Sequence, residues 1–187
     1  MLDIGVHLMD LLRWFLGEIE AVCGGATTAI AERPTPDGGR GNVTADDIAS
    51  VVVRLASGAV GTVQVSQVAI GRQSYRRVEL FGSRGSIVVE EDRTFGPEVR
   101  VANLGESTFS VSPLPQELDV AFDEFPRFHV SRIVASLRGE GPGWPGFEDA
   151  LAAQRAVEAV EESQRSGRWI SVGAEKRRSP PGGQGRD

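Results

Sequence analysis

The sequence predicts an α+β fold, with an open, largely antiparallel sheet of six to seven strands and helices packed on one face. The first observation is the order of patterns along the 187 residues, with one helix, several strands at hairpin spacing, and then further helices. A run of strands followed by helices is typical of antiparallel sheets. The second is the alternation in residues 62–66, where Val63 and Val65 share one face and polar side chains share the other. Such alternation indicates a sheet with one buried face.

The first pattern predicts an amphipathic helix over residues 3–16. Asp3 is expected to cap its N-terminus, and Gly17 is expected to end it. Four apolar residues at spacings of three and four are expected to form the face that packs on the core. They are Leu8, Leu11, Leu12 and Phe15.

Short strands are predicted through the middle of the chain. Residues 19–32 are rich in Val, Ile and Thr and predict a strand, whereas Pro and Gly crowd residues 33–47 and predict a polar loop. A hairpin is predicted over residues 47–70, with its turn at Gly58. Four further strand candidates follow it. They span residues 76–82, 85–91, 98–104 and 108–114.

Two helices and a closing strand are predicted in the last third of the chain. Residues 123–139 and 147–167 show helical spacing, and residues 168–172 are a short strand candidate. The residues expected to face inward from the second of these helices are Leu151, Val157 and Val160. The domain is predicted to span residues 1–173. The tail 174–187 is rich in Pro, Gly and Arg and is predicted to be disordered.

Composition excludes several classes of protein. A net charge of −6 argues against a nucleic-acid-binding surface, which needs clustered Lys and Arg. No apolar run approaches the about 18 residues of a membrane span, and the N-terminus lacks the pattern of a signal peptide. The chain is therefore predicted to be cytoplasmic, with neither nucleic acid nor membrane as a partner. Cys23 is the single cysteine, so no intramolecular disulfide can form.

The opening segment places acidic and imidazole groups together. Asp3, His7 and Asp10 are spaced i, i+4 and i+7, which aligns them on one face of a helix. Spacing alone leaves three interpretations open. The simplest is structural, with Asp3 as a cap, His7 on the surface and Asp10 paired with Arg13. The second is a catalytic group, and the third is a metal site, which lacks a further His or Cys nearby.

The stretch D-I-G-V-H-L-M-D-L-L-R-W at residues 3–14 resembles the motif D-x-G-x-H-x-x-D-x-x-R-W that opens the C-terminal domain in the Gfo/Idh/MocA family of NAD(P)-dependent oxidoreductases. Residues 78–90 are similar to the family's strand, glycine turn and strand, and residues 147–172 to its closing helix and strand. The resemblance covers residues 2 to about 172. It implies a fold like the C-terminal domain of dihydrodipicolinate reductase.

The resemblance also implies a function and a site. His7 aligns with the family's catalytic acid/base, which exchanges a proton with the substrate hydroxyl, and Asp3 with the aspartate that contacts substrate and positions this histidine. His129 and Trp144 fall in regions that border the substrate cleft. The implied cofactor is NAD or NADP, the implied substrate is a sugar, polyol or similar hydroxy compound, and the implied assembly is a homo-oligomer formed through the open sheet face.

One departure from the family limits these expectations. These 187 residues are expected to lack the nucleotide-binding Rossmann domain, since no G-x-G-x-x-G follows a strand and the only lysine is Lys176. The chain is therefore expected to bind no NAD(P) and to be inactive alone, as a truncated sequence. The alternatives are a remnant, a module that pairs with a separate Rossmann-domain chain, and a non-catalytic assembly or scaffold module that uses its open sheet face. A hydrolytic relative also remains open.

Overall fold

The structure is a computed structural model that describes residues 3–72, 74–92, 96–114, 125–141 and 145–173. The chain divides into two compact units. The first comprises Met1–Val68 and Trp144–Asp187, and the second comprises Ala69–Gly143. The elements in chain order are α1 (Gly5–Leu16), β1 (Ile19–Thr27), β2 (Glu32–Pro34), β3 (Arg40–Asn42), β4 (Ile48–Leu55), β5 (Val60–Ser66), β6 (Arg76–Gly82), β7 (Gly85–Asp92), β8 (Gly96–Asn103), β9 (Ser110–Ser112), α2 (Phe125–Leu137), α3 (Phe147–Ser166) and β10 (Ile170–Ser171).

The core of the first unit lies between a four-stranded antiparallel sheet and two helices. The strand order is β10-β1-β4-β5. Alternate residues of β4 are buried, and Val63 and Val65 of β5 lie on the same dry side, as the alternation predicts. Met9 of α1 and Val157 and Val160 of α3 cover this side of the sheet and are almost fully buried. The two helices therefore bury the apolar face of the sheet.

The end of α3 completes an edge of this sheet. β10 pairs only with Ala21 and Val22 of β1, so the next part of β1 has no strand on that side among the described residues. There the Gly24 N–H donates to Ser163 Oγ at 3.0 Å, and the Ala26 N–H donates to Gln164 Oε1 at 2.8 Å. Two helix side chains thus satisfy backbone donors that a neighbouring strand would otherwise satisfy.

The predicted polar loop at residues 33–47 was wrong in part, because it contains most of a small hairpin. β2 pairs antiparallel with β3, and the Thr35 N–H donates to Gly39 O at 3.0 Å across the turn. Arg40 also donates to Glu32 Oε2 at 3.0 Å across the two strands. Strands of three residues are too short to show alternation, so turn residues dominate the sequence pattern.

The second unit contains a four-stranded antiparallel sheet in the order β6-β7-β8-β9. The register places six apolar residues on one face: Val78, Leu80, Ile87, Val89, Val99 and Val101. The opposite face carries an ion-pair network in which Glu90 binds Tyr75, Arg77 and Arg100. The Tyr75 hydrogen bond is the largest of the effects that lower the pKa of Glu90. Helix α2 also belongs to this unit and exposes Phe128, Ile133 and Leu137.

The α+β class and the antiparallel pairing are confirmed, but the arrangement of strands differs from one sheet of six to seven strands. The described strands form two four-stranded sheets and one two-stranded sheet. β5 ends at Ser66, and the segment before β6 contains Gly71 at φ +87° and Ser74 at φ +51°, conformations that break an extended strand. Within the described ranges, no helix is both long enough and apolar enough to span a membrane. The predicted tail 174–187 lies outside the described residues.

Candidate functional site

Helix α1 is held on the core by an apolar stripe that matches the predicted one in part, since Leu8 and Leu12 pack there but Phe15 does not. Met9 is fully buried, and Leu12 and Leu16 pack beside it, whereas Phe15 is 41% exposed. Most positions of this helix are apolar, so more than one stripe of apolar side chains fits the helical spacing. In α3 the inward position of Leu151 was also wrong, since this side chain is 47% exposed. Its place one turn from the helix start leaves it outside the cluster formed by later residues.

His7 lies in the first turn of α1 and is exposed. Its backbone N–H donates to Ile4 O at 3.1 Å, which fixes the residue at the start of the helix. Within the described part of the chain, the imidazole has no hydrogen-bond partner. It is therefore available to a ligand, and the core contacts of Met9, two residues later, hold its backbone in place.

Asp3 is not the helix cap that the sequence predicts. The N-cap is Ile4, and no side chain caps the helix. The Asp3 carboxylate lies outside the helix and accepts a hydrogen bond from Gln67 Nε2 at 3.0 Å, a contact that spans 64 positions of sequence. The start of α1 is the positive end of the helix, which favours a carboxylate nearby. Asp3 and His7 therefore share this end of α1, and Gln67 joins them from the end of β5.

Asp47 organises the backbone on which Gln67 lies. Its carboxylate is 4% exposed and accepts hydrogen bonds from the Ile30 N–H at 2.8 Å, from the Ala29 N–H at 3.0 Å, and from the Arg33 guanidinium. The hydrogen bond from Ile30 is the largest effect that lowers the pKa of Asp47, and Arg33 acts in the same direction. The Asp47 carbonyl also accepts the Gln67 N–H at 2.8 Å. The only sign of this role of Asp47 in the sequence is the acidic pair at residues 46 and 47, directly before β4.

A shallow concavity lies beside the Asp3–Gln67 contact. Its lining includes Ile4, Asp47, Val65 and Gln67. Its walls come from the turn before α1, the start of β4 and the end of β5, so three segments distant in sequence meet there. This concavity combines apolar side chains with carboxylate and amide groups.

Arg13 braces the other end of α1, and the predicted Asp10–Arg13 pair is present at 3.5 Å. The Arg13 guanidinium also binds both carboxylate oxygens of Glu18, at 2.9 and 3.0 Å, and donates to Asp149 O at 3.2 Å. The Glu18 hydrogen bond is the largest effect that raises the pKa of Arg13. Because its side chain is only 11% exposed, Arg13 acts as a buried tie between α1 and the start of α3.

Two other positions, His129 and Trp144, were predicted to border the substrate cleft. His129 lies on α2, in the second unit, where it is exposed with its ring centroid 6.3 Å from that of Phe128. Trp144 lies outside the described residues. Among the residues that the structure describes, no three His, Cys, Asp or Glu side chains form a group that could hold a metal ion.

Comparisons with known proteins identify the domain. Residues 1–88 match the model of the GFO/IDH/MocA C-terminal domain. Levoglucosan dehydrogenase of Pseudarthrobacter phenanthrenivorans is 27% identical over 201 residues, which cover 91% of this chain and 50% of that protein. An uncharacterized oxidoreductase of Synechocystis sp. is 34% identical over 178 residues, which cover 89% of this chain and 47% of that protein.

A solved structure shares the fold. It is that of levoglucosan dehydrogenase in complex with NADH and levoglucosan, with a TM-score of 0.78 and 28% identity, and the match covers 91% of this chain and 49% of that one. The chain spans about half the length of the curated relatives it matches. The resemblance indicated by the opening motif is confirmed by the domain model, the fold and these relatives. Together they show that residues 1–88 match the GFO/IDH/MocA C-terminal domain and that the chain is similar to the C-terminal part of oxidoreductases of this family.

Proposed function

We propose that this chain is the substrate-binding and oligomerisation part of an NAD(P)-dependent oxidoreductase that acts on a sugar, polyol or similar hydroxy compound. In this proposal His7 is the catalytic acid/base and Asp3 is its partner in substrate binding. The observation that carries it is the exposed imidazole at the start of α1, beside Asp3, within a motif that matches the family. The solved structure of a dehydrogenase relative in complex with NADH and levoglucosan supports a carbohydrate substrate.

The proposed chemistry needs a base at the reacting hydroxyl. Oxidation of a secondary alcohol to a carbonyl removes a hydride from carbon and a proton from oxygen. His7 would accept that proton, because a neutral imidazole is a base that operates near neutral pH. Asp3 would accept a hydrogen bond from a substrate hydroxyl, which holds the sugar in register with the imidazole.

The described residues do not provide a dinucleotide site of the usual kind. Their sheets are antiparallel, and α1, α2 and α3 do not follow a strand through a G-x-G-x-x-G turn, which is the arrangement that cradles a pyrophosphate. We therefore assign no step of the reaction to a cofactor bound by these residues. The proposal expects NAD(P) to be held by another polypeptide region, and the purified 187-residue chain to show no dehydrogenase turnover. Measurable turnover by this chain alone would contradict it.

Substrate binding can be tested on the chain itself, because it has only two histidines. Their imidazole NMR signals are assigned with a His129→Gln variant. We expect millimolar levoglucosan or a related polyol to shift the His7 signal in a saturable way, and Asp3→Asn to weaken this response. Asp10→Asn is the matched control, since it makes the same change on the same helix at a residue paired with Arg13. A His7 signal that never responds to sugar or polyol would refute the proposed site.

Catalysis requires a cofactor-binding part. We expect a chimera that joins the N-terminal half of the Pseudarthrobacter levoglucosan dehydrogenase to this chain to oxidise a sugar with NAD. His7→Ala should then lower kcat by about 10²–10⁴, the usual contribution of a general base. A folded, active chimera that tolerates His7→Ala would rule out this role for the imidazole.

The proposed oligomer is supported by the apolar face of the second unit. Six residues of three neighbouring strands form a continuous surface there, and Ile87, near its middle, is 40% exposed. We expect light scattering to give a mass above that of one chain, and Ile87→Lys to reduce it. Val111→Lys is the control, because Val111 is exposed on the opposite face of the same sheet. The same surface would serve the alternative of a non-catalytic scaffold, which the absence of any sugar response would favour.

A further inference from the structure

We propose that Gln67 is a positioning residue for the Asp3 carboxylate, and that it thereby sets the affinity of this site for polyhydroxylated ligands. This inference rests on the proposed function and adds to it a residue outside the family motif. It begins from the one described hydrogen bond to the Asp3 side chain, which Gln67 Nε2 donates to Oδ2 at 3.0 Å.

Asp3 needs such a contact because the helix does not hold it. The helix begins at Gly5, its N-cap is Ile4, and the Asp3 side chain makes no capping hydrogen bond. An exposed aspartate outside a helix samples several rotamers, and ordering it for a ligand costs entropy at each binding event. A hydrogen bond from Gln67 fixes one carboxylate oxygen in advance and leaves the other free to accept from a ligand hydroxyl.

Gln67 itself is anchored independently of Asp3. Its backbone N–H donates to Asp47 O at 2.8 Å, and the Asp47 carboxylate is in turn held by the Ala29 and Ile30 amides and by Arg33. Gln67 also follows directly after β5, whose Val65 is buried in the core. The amide that reaches Asp3 therefore projects from a fixed piece of backbone, which is what a positioning residue requires.

The amide group has hydrogen-bonding capacity left after it binds Asp3. One N–H of Nε2 and the Oε1 carbonyl remain, while the carboxylate keeps an unused oxygen. A carboxylate and an amide side by side thus offer both acceptors and a donor to one ligand. Adjacent hydroxyl groups of a sugar or polyol combine donors and acceptors in the same way, so this pair suits a ligand with two neighbouring hydroxyls rather than a monohydroxy compound.

The test compares Gln67→Glu with Gln64→Glu in the whole chain. The two substitutions are chemically identical and three residues apart, but Gln64 is an exposed residue of β5 on the strand face opposite to Val63 and Val65. Gln67→Glu replaces the donor with a second carboxylate facing Asp3. We expect it to weaken the polyol response of the His7 signal by about tenfold or more, and Gln64→Glu to leave it within about twofold. Equal affinities for the two variants would overturn the inference while leaving the proposed function intact.

A second measurement needs no ligand. The side-chain amide signal of Gln67, assigned by its loss in Gln67→Glu, should move when Asp3→Asn removes the charged acceptor, and the Gln64 amide signal should not move. If the wild-type chain shows no response to polyols, the proposed function fails, and this measurement still decides whether Gln67 positions Asp3. If the side-chain amide signal of Gln67 does not move in Asp3→Asn, the positioning role is overturned, whatever the polyol titration shows.

Discussion

Ser163→Ala should destabilise the first unit far more than the same change three residues later. The Ser163 side chain is 1% exposed, and its hydroxyl makes two hydrogen bonds. It accepts from the Gly24 N–H at 3.0 Å and donates to Arg168 O at 2.7 Å. Alanine leaves one backbone donor of β1 and one backbone acceptor after α3 without these partners. Ser166 is the matched control, because its exposed hydroxyl only donates to Glu162 O of its own helix.

The expected magnitude follows from these two contacts. A buried polar group that loses its partner costs about 1–3 kcal/mol, and the better helix propensity of alanine offsets a few tenths of this in both variants. We therefore expect Ser163→Ala to lower the free energy of unfolding by about 2–3 kcal/mol, or Tm by roughly 4–12 °C. Ser166→Ala should stay within about 0.5 kcal/mol.

Thermal unfolding followed by circular dichroism measures this difference, and amide hydrogen exchange locates it. The Gly24 amide should lose protection in Ser163→Ala, whereas the Ala26 amide should keep it, because Gln164 Oε1 still accepts its hydrogen bond. If Ser163→Ala proved as mild as Ser166→Ala, the view that α3 completes the edge of β1 would be incorrect.

Two further predictions concern the same unit. Gly24→Ala should lower the free energy of unfolding in urea by at least about 3 kcal/mol, since a Cβ at residue 24 would lie 2.3 Å from Ser50 O. Gly25→Ala is the control, because a Cβ at residue 25 would lie at an ordinary 3.4 Å from Gln164 Cγ. Equal destabilisation by the two substitutions would contradict the close approach of β1 and β4. The folded state lowers the pKa of Asp47, so its stabilising effect is present above the unfolded pKa of about 4 and is lost as pH falls through the folded value. The stability gap between wild type and Asp47→Asn should therefore narrow in acid unfolding series below about pH 4, and a gap constant from pH 2 to 7 would refute this.

Local patterns predicted the secondary structure better than the contacts between elements. The alternation around Val63 and Val65 gave the strand and its buried face, because period two reports directly which side chains leave the water. In α1 the same logic placed the helix and two of its core-facing residues, Leu8 and Leu12, but it included Phe15 and omitted Met9. Apolar residues occupy most of its positions, so Met9 could not be distinguished from Phe15 as the core residue.

The candidate site was predictable only where a motif exists. Asp3 and His7 were predicted from the resemblance of residues 3–14 to a family motif, whereas Gln67 is an ordinary polar residue after a strand, and its contact with Asp3 spans 64 positions. Asp47 is similar, since an acidic pair before a strand usually indicates a turn. Their importance depends on tertiary proximity, which no local pattern encodes.

The Arg13 tie has a consequence for the order in which the chain can fold during synthesis. Arg13 binds Asp149 O, 136 positions later, and Ser163 and Gln164 complete a strand that begins at Ile19. The second unit, in contrast, is one continuous stretch, Ala69–Gly143. A ribosome therefore releases every residue of the second unit before α3 exists. The helix that carries His7 can therefore complete its packing on the core only after α3, near the end of the domain, has been synthesised.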